Sequence, residues 1–226
     1  MRFRIAIELN GVIRNINAQY LKYYLKDINP DANEDDYDAA SISILPKLEF
    51  DSNSSKREFV YEDYPYEIFG CAAPMSRNLH VALNSWAEQW YWWGYQDDVA
   101  VFSLDEEELS IQSTYFYLSK SGTRVRQVVF PRYPENIWKN FDIVVTQDPR
   151  VAESKPNGKI LVLISKSDNA DVREKADLVY DSLEDLLKDD EFIKKCMIIT
   201  KQNSDDESWV AKIKRFIKGL FNGRNK

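Results

Sequence analysis

Short apolar runs alternate with segments of helical periodicity along most of this chain. Apolar, β-branched runs predict buried strands at residues 2–9, 99–103, 125–130, 142–145 and 159–164. In residues 77–95 and 106–119, apolar positions recur at helical spacing, which predicts helices. Strands that alternate with helices are typical of βαβ units, whose parallel sheet is covered on both faces. We therefore predict an α/β fold with a three-layer, Rossmann-like parallel sheet.

Other segments are less regular. Asn15 or Asn17 is a candidate cap for a helix that follows the first strand. Residues 178–200 predict a further strand or helix pair, and residues 206–221 predict a last helix. Residues 41–66, which contain Pro46 and Pro65, give no clear pattern.

The composition excludes several classes of protein. Hydrophobic residues make up 44% and charged residues 30% of the chain, as expected of a folded protein. Two cysteines and one histidine argue against a disulfide framework, a zinc site or a Ser-His-Asp triad. The net charge of −7 argues against a general nucleic-acid binder. No apolar run is long enough to span a membrane, and the first residues resemble a strand rather than a signal peptide.

The last segment of the chain is basic although the rest is acidic. Residues 210–226 carry +6 with no acidic residue, so residues 1–209 carry −13. An amphipathic helix here could pack on its own domain, dock on a partner or a second copy of the chain, or lie on an anionic membrane. We predict a protein partner or a homo-oligomer. The candidate interaction residues are Trp92, Trp209, Lys212, Ile213, Arg215 and Phe216.

The ends of the predicted strands carry the candidate chemistry, because ligands bind at the carboxyl ends of parallel strands. The segment Ile5–Asn15, IAIELNGVIRN, resembles the first motif of the haloacid dehalogenase (HAD) superfamily, a strand followed by DxDGT or DxDGV. It is similar to the motif of small bacterial and phage phosphatases of the deoxyribonucleotidase type. Further segments resemble the family in its order: 66–74, 82–87, 99–103 and 141–149.

The resemblance implies a HAD-like core with a helical cap inserted after the first strand. On this basis we predict a core at residues 1–14 and 81–205 and a cap at residues 15–80. The basic C-terminal helix would span residues 206–226.

The family's catalytic positions carry other residues here. The nucleophilic aspartate of the family is Glu8 in this chain, and its general acid/base is Asn10, which has no titrating proton. The family's lysine has no counterpart at the expected place, although Arg132 or Lys139 is near. Its acidic pair falls on Thr146 and Gln147, or, shifted by one residue, on Asp148.

These departures predict a protein without catalytic residues, metal ligands or cofactor, which is therefore not an enzyme. Its vestigial phosphate pocket would comprise Glu8, Asn10, Ser103, Gln147 and Asp148. The function would be structural or interactive, as in a phage virion or assembly component. Such a protein would be found in the cytoplasm, the host-cell cytoplasm or the virion.

Two alternatives stay open. One is a divergent Mg²⁺-dependent HAD phosphatase that acts on nucleotides or small phosphate esters. In that hypothesis Glu8 is the nucleophile, Ser103 holds the phosphoryl group, and Asp148 with Glu8 holds Mg²⁺. The other is a module that binds nucleotides without turnover.

Overall fold

The strands follow the apolar runs of the sequence. The computed structural model describes residues 3–37, 45–92, 98–164 and 170–201. In chain order the strands are β1 (Ile5–Glu8), β2 (Arg14–Asn15), β3 (Ala73–Pro74), β4 (Val99–Phe102), β5 (Gln127–Val129), β6 (Ile143–Thr146), β7 (Ile160–Ile164) and β8 (Leu178–Tyr180). The α-helices are α1 (Ile16–Asp27), α2 (Asn53–Glu58), α3 (Leu79–Trp92), α4 (Glu108–Ser121), α5 (Pro149–Glu153), α6 (Ala170–Lys175) and α7 (Leu183–Leu187), and residues 192–201 are also helical.

Six of these strands form one parallel sheet in the order β5-β4-β1-β6-β7-β8. Alternate residues of each strand point to opposite faces, so every strand contributes to two separate apolar layers. One layer packs against α3, α4 and α7, and the other against α5, α6 and the 3₁₀ turn Pro134–Lys139. The predicted three-layer α/β fold is therefore confirmed.

A third apolar cluster lies in the segment between β2 and β3. Tyr20, Leu21 and Tyr24 of α1 pack there on two π-helical turns, Phe59–Asp63 and Tyr66–Gly70. This cluster is separate from the two layers on the sheet, and its chain segment contains helices. We call the segment between β2 and β3 the cap. The domain boundaries that we derived from the resemblance stay a prediction.

Two short connections join this cap to the sheet. β2 and β3 pair antiparallel, and the Met75 N–H donates to the Ile13 carbonyl beside them. The side chain of Asn15 accepts from the Ala18 N–H and caps α1, one of the two positions that the sequence offered.

The helix predicted over residues 106–119 begins and ends two residues later in the structure. Asp105 has a left-handed backbone (φ 57°), and α4 begins only at Glu108. Glu107 is the N-cap residue of α4, in a capping box with Ser110. Glu106 turns inward, where the carboxylate pairs with a buried guanidinium.

That guanidinium belongs to Arg14, the only arginine among the described residues that is fully buried. Arg14 Nη2 lies 2.5 Å from Glu106 Oε1, and both side chains are 0% exposed. Arg14 also donates to the Phe69 carbonyl of the cap and to Thr114 Oγ1 of α4. One side chain therefore ties the end of β1, the cap and α4 together.

No helix in the described part of the chain is long and apolar enough to cross a membrane.

We predict that Arg14→Gln destabilises the fold by about 3 kcal/mol or more, because it leaves Glu106 buried without its counter-charge. The matched control is Arg124→Gln, since Arg124 pairs with Glu88 at the surface, where such pairs contribute about 1 kcal/mol or less. Urea unfolding of both variants measures the difference. Equal losses of unfolding free energy would contradict the prediction.

Candidate active site

A cavity of about 630 Å³ lies between the carboxyl ends of the central strands and the cap. From the core, it is lined by Glu8, Asn10, Gln147 and Asp148. From the cap, aromatic rings face it, namely Tyr20, Tyr61 and Phe69. The cavity therefore joins a polar floor to a largely aromatic roof.

Glu8, the last residue of β1, is the buried acid on this floor. Its Oε2 accepts from Thr146 Oγ1 at 2.5 Å and from the Gln147 N–H at 3.0 Å. Burial, reinforced by the negative charge of Asp148, raises the pKa of Glu8 to about 8, although the bonds from Thr146 and Gln147 oppose the shift. At neutral pH Glu8 is therefore mostly a protonated carboxylic acid.

Gly11 is required by the loop that follows Glu8. Its φ is +77°, and a Cβ at this position would lie 1.4 Å from the side-chain nitrogen of Gln147. The glycine allows the Gln147 amide to lie directly against the backbone of the first loop. The Asn10-Gly11 sequence that predicts a turn thus also accounts for the contact between the loops after β1 and β6.

Asn10 is held by two polar neighbours beneath the cavity floor. Its Nδ2 donates to Ser103 Oγ at 3.0 Å, and its Oδ1 accepts from Arg14 Nε at 2.7 Å. An aspartate here could accept from Arg14 but could not donate to Ser103 through its ionised carboxylate. Asn10 is therefore matched to these neighbours.

Arg150 brings a positive charge to the rim of the cavity. Its guanidinium bridges two carboxylates, Asp105 and Asp148. The ion pair with Asp148 has an N–O distance of 2.6 Å, and the Asp105 Oδ1 accepts from Nη1 at 3.1 Å. The hydrogen bonds that these two carboxylates accept from Arg150 raise its pKa further, so it stays charged.

The loop before α4 positions Asp105 for this contact. The left-handed backbone of Asp105 turns its carboxylate towards Arg150, and the Tyr61 hydroxyl of the cap donates to its carbonyl oxygen. Aspartate is among the residues that tolerate this conformation best. The rim of the cavity is thus connected to the cap as well as to the sheet.

The structure separates the residues of the predicted phosphate pocket. Glu8, Asn10, Gln147 and Asp148 line the cavity together. Ser103 does not face it, because its hydroxyl is buried against Asn10 and Arg14, so it is not placed to hold a phosphoryl group.

Among the described residues, Arg132 and Lys139 do not line the cavity. Arg132 lies over the Tyr133 ring, and Lys139 donates to Asn136. Trp92 is in α3, but its side chain lies outside the described residues. The predicted interaction residues Trp209, Lys212, Ile213, Arg215 and Phe216 also lie outside them.

Sequence reasoning missed three residues that build the site, namely Arg14, Tyr61 and Arg150. Arg14 carries a weak signal, since a charged residue that directly follows the apolar pair Val12-Ile13 needs a partner if it is buried with that pair. Arg150 follows Asp148-Pro149, a helix start in which the N-cap aspartate and the second helical residue lie close together. Nothing in the sequence indicates the contact of Tyr61 with Asp105.

The carboxylates of the cavity do not fit the Mg²⁺ ion that the predicted family implies. Both oxygens of Asp148 and both oxygens of Asp105 already accept from Arg150. Oε2 of Glu8 accepts from Thr146 and Gln147, and the raised pKa of Glu8 keeps the group protonated at neutral pH, which disfavours a metal ion. Mg²⁺ requires octahedral oxygen ligands, usually including one or two free carboxylates, and no group of three or more acidic, His or Cys residues in the described ranges could hold a metal.

Comparison with solved structures shows that the chain has a fold similar to that of a known protein. No family model matches the chain, and no curated protein matches it significantly. A solved structure of beta-phosphoglucomutase from Clostridium difficile is 13% identical, with a TM-score of 0.48, over 88% of this chain and 99% of that one. At this identity and TM-score, the likeness assigns this chain neither a family nor a substrate.

One prediction is corrected by the comparison. The matching structure is that of an enzyme, so the prediction that this chain is not an enzyme has no support from the comparison and is withdrawn. The deoxyribonucleotidase-like subgroup and the phage origin have no support from the comparisons and stay predictions.

We predict that Glu8 makes the stability of the protein fall as the pH rises. The unfolded chain releases this proton near pH 4.5 and the folded chain only near pH 8, so the loss occurs between these values and then levels off. In Glu8→Gln the loss is absent, so the stability difference between the two proteins changes by up to about 4 kcal/mol. Unfolding in urea between about pH 5 and about pH 9 measures it.

The control for this experiment is Glu174→Gln, at an exposed position of α6. Its pH profile should follow that of the natural protein. Parallel profiles of the natural protein and Glu8→Gln would contradict the raised pKa of Glu8.

We further predict that Asp148→Asn lowers the pKa of Glu8 below about 8, because the negative charge of Asp148 is one of the causes of its elevation. Asparagine is an equally good N-cap, so α5 is retained. Infrared difference spectroscopy of the carboxyl band follows the titration. An unchanged midpoint would contradict the prediction, and the exposed Asp190→Asn is the control that should show no change.

Proposed function

We propose that the cavity is the active site of a hydrolase for small phosphate monoesters, in which Glu8 is the general acid. The observation that supports this proposal is the buried carboxyl group of Glu8, at the end of the central strand β1, in a cavity that Arg150 also lines. An acid and a guanidinium at one cavity suit a phosphate ester, since one can donate a proton and the other can pair with phosphate oxygens.

The chemistry requires one proton at the leaving oxygen. A water oxygen forms a new bond to phosphorus while the ester P–O bond breaks. The Glu8 proton passes to the leaving oxygen, and the proton released by the attacking water restores the acid. Because the transition state of phosphoryl transfer is loose, positioning and charge stabilisation matter more than activation of the water.

The environment of Glu8 suits this role. Its pKa of about 8 keeps Glu8 protonated at neutral pH. This pKa is also close enough to neutral pH for efficient proton transfer. A protonated Glu8 also removes one negative charge that would repel the phosphate group. Asp148 therefore contributes indirectly, because its charge raises the pKa of Glu8.

The cap supplies the surface for the organic part of the ester. The rings of Tyr61 and Phe69 lie nearly parallel, at an interplanar angle of 16°, and Tyr20 lines the same roof. These rings favour an ester whose organic part is aromatic or otherwise flat and apolar. Nucleotides and aryl phosphates both belong to this class.

We predict that Glu8→Gln lowers kcat/KM on alkyl phosphates by about 100-fold or more, since general acid catalysis contributes about 10² to 10⁴. On 4-nitrophenyl phosphate the loss is smaller, because that leaving group needs little protonation. Steady-state turnover of an ester series measures both effects. The control Glu174→Gln should lose no activity.

The pH profile distinguishes this role from that of a nucleophile. With a general acid, the ratio of kcat/KM between the natural protein and Glu8→Gln falls above about pH 8. Ionisation of the substrate near pH 6 is the same for both proteins and cancels in the ratio. A ratio that instead rises through pH 8 would contradict the acid and favour the alternative in which an ionised Glu8 attacks phosphorus.

A further inference from the structure

Arg150 has two partners of different strength at the cavity rim. The side chain of Asp148 is 12% exposed, whereas those of Asp105 and Arg150 are 54% and 50% exposed. Ion pairs in water are weak, so the contact with Asp105 can be exchanged at little cost. The contact with Asp148 is better shielded and is supported by the N-cap bond from the Arg150 backbone N–H.

This arrangement leaves part of the guanidinium available to a ligand. Nη1 and Nη2 both donate to Asp105, and their release would free two parallel N–H groups facing the cavity. The planar fork of an arginine matches two oxygens of a phosphate group. Arg150 is also the only cationic side chain among the described residues that line the cavity.

A divalent cation would have to displace this guanidinium. On the cavity floor, the carboxylate of Asp148 is paired with a cation, because Arg150 contacts both of its oxygens. A metal on Asp148 would therefore lie beside a second positive charge. The acidic residues are arranged around an arginine and not around a metal ion.

We propose that Arg150 takes the place of the metal ion, so that the cavity binds a phosphate group without a divalent cation. The choice of phosphate as the ligand rests on the proposed function, but the independence from metal rests on the contacts of Arg150. In the bound state, Arg150 keeps Asp148 and exchanges Asp105 for two phosphate oxygens. Glu8 and the Asn10 amide lie on the cavity floor below the same group.

Calorimetric titration of the full chain with inorganic phosphate tests this proposal, in excess EDTA and again in excess MgCl₂. We expect binding in EDTA and a dissociation constant that Mg²⁺ changes by less than about twofold, because Arg150 keeps both oxygens of Asp148 when phosphate binds. Arg150→Gln should weaken binding by about tenfold or more in both buffers, since charge-assisted hydrogen bonds are lost. Arg150→Lys keeps the charge but loses the two parallel N–H donors. Its dissociation constant for phosphate should therefore lie between those of the natural protein and Arg150→Gln.

The matched control is Arg124→Gln, an exposed arginine that pairs with Glu88 away from the cavity, and it should bind phosphate as the natural protein does. Binding that appears only with Mg²⁺, or that Arg150→Gln leaves intact, would overturn the proposal. The absence of binding in both buffers would overturn it as well.

The outcomes separate this proposal from the proposed function. Phosphate binding in EDTA without turnover of any ester would support the role of Arg150 and reject the hydrolase. Turnover of esters that requires Mg²⁺ would support the hydrolase and reject the role of Arg150.

Discussion

The buried ion pair between Arg14 and Glu106 is the constraint on which the site depends. Neither side chain reaches solvent, so neither charge can be kept without the other. The guanidinium satisfies this requirement by contacting three parts of the chain at once: the loop after β1 through Asn10, the cap through the Phe69 carbonyl, and α4 through Thr114. The floor of the cavity and its roof are therefore joined from below by the Arg14 side chain, and the contact of Tyr61 with Asp105 joins them at the rim.

The same pair also divides the charges of the site into two levels. Below the floor, Arg14 and Glu106 neutralise one another, and Asn10, which lies above them on the floor, is uncharged. At the rim, Arg150 is shared between Asp105 and Asp148. Glu8 lies between these levels. It retains its proton because it is buried and because the carboxylate of Asp148 is close. A ligand that enters this space meets an acid and one partly available cation.

The sequence predicted the sheet better than the site. The reason is that a buried strand is recognisable from its own residues, whereas the contacts of the site join residues far apart along the chain. The runs at β1, β4, β6 and β7 are buried on both faces, so each is recognisable from its own residues. The π-helical turns of the segment between β2 and β3 could not be predicted, because that segment has no regular periodicity. Glu8, Asn10, Gln147 and Asp148 could be named as neighbours from their places at strand ends. The partners of Arg14 and Arg150 could not, since Glu106 and Asp105 are 92 and 45 positions away along the chain.

The departures from the family motifs have a different meaning once their contacts are known. At three positions of the motifs that the sequence resembles, this chain has a residue other than the family's aspartate, namely Glu8, Asn10 and Thr146. Together these differences predicted a protein without catalytic activity. In the structure they are matched to one another and to their neighbours. The longer side chain of Glu8 reaches the Thr146 hydroxyl, and the amide of Asn10 donates to Ser103 while accepting from Arg14.

Random decay of a site would leave some of these buried groups without partners, because nothing would select their complements. Among the described residues, no buried side-chain nitrogen or oxygen lacks one. The motif that the sequence resembles implies carboxylates around a metal, whereas the acidic residues of this cavity are paired with two arginines. The proposed function requires an acid at the end of β1 and a positive charge for an anionic ligand. In that proposal, burial and Asp148 hold the proton on Glu8, and Arg150 provides the charge.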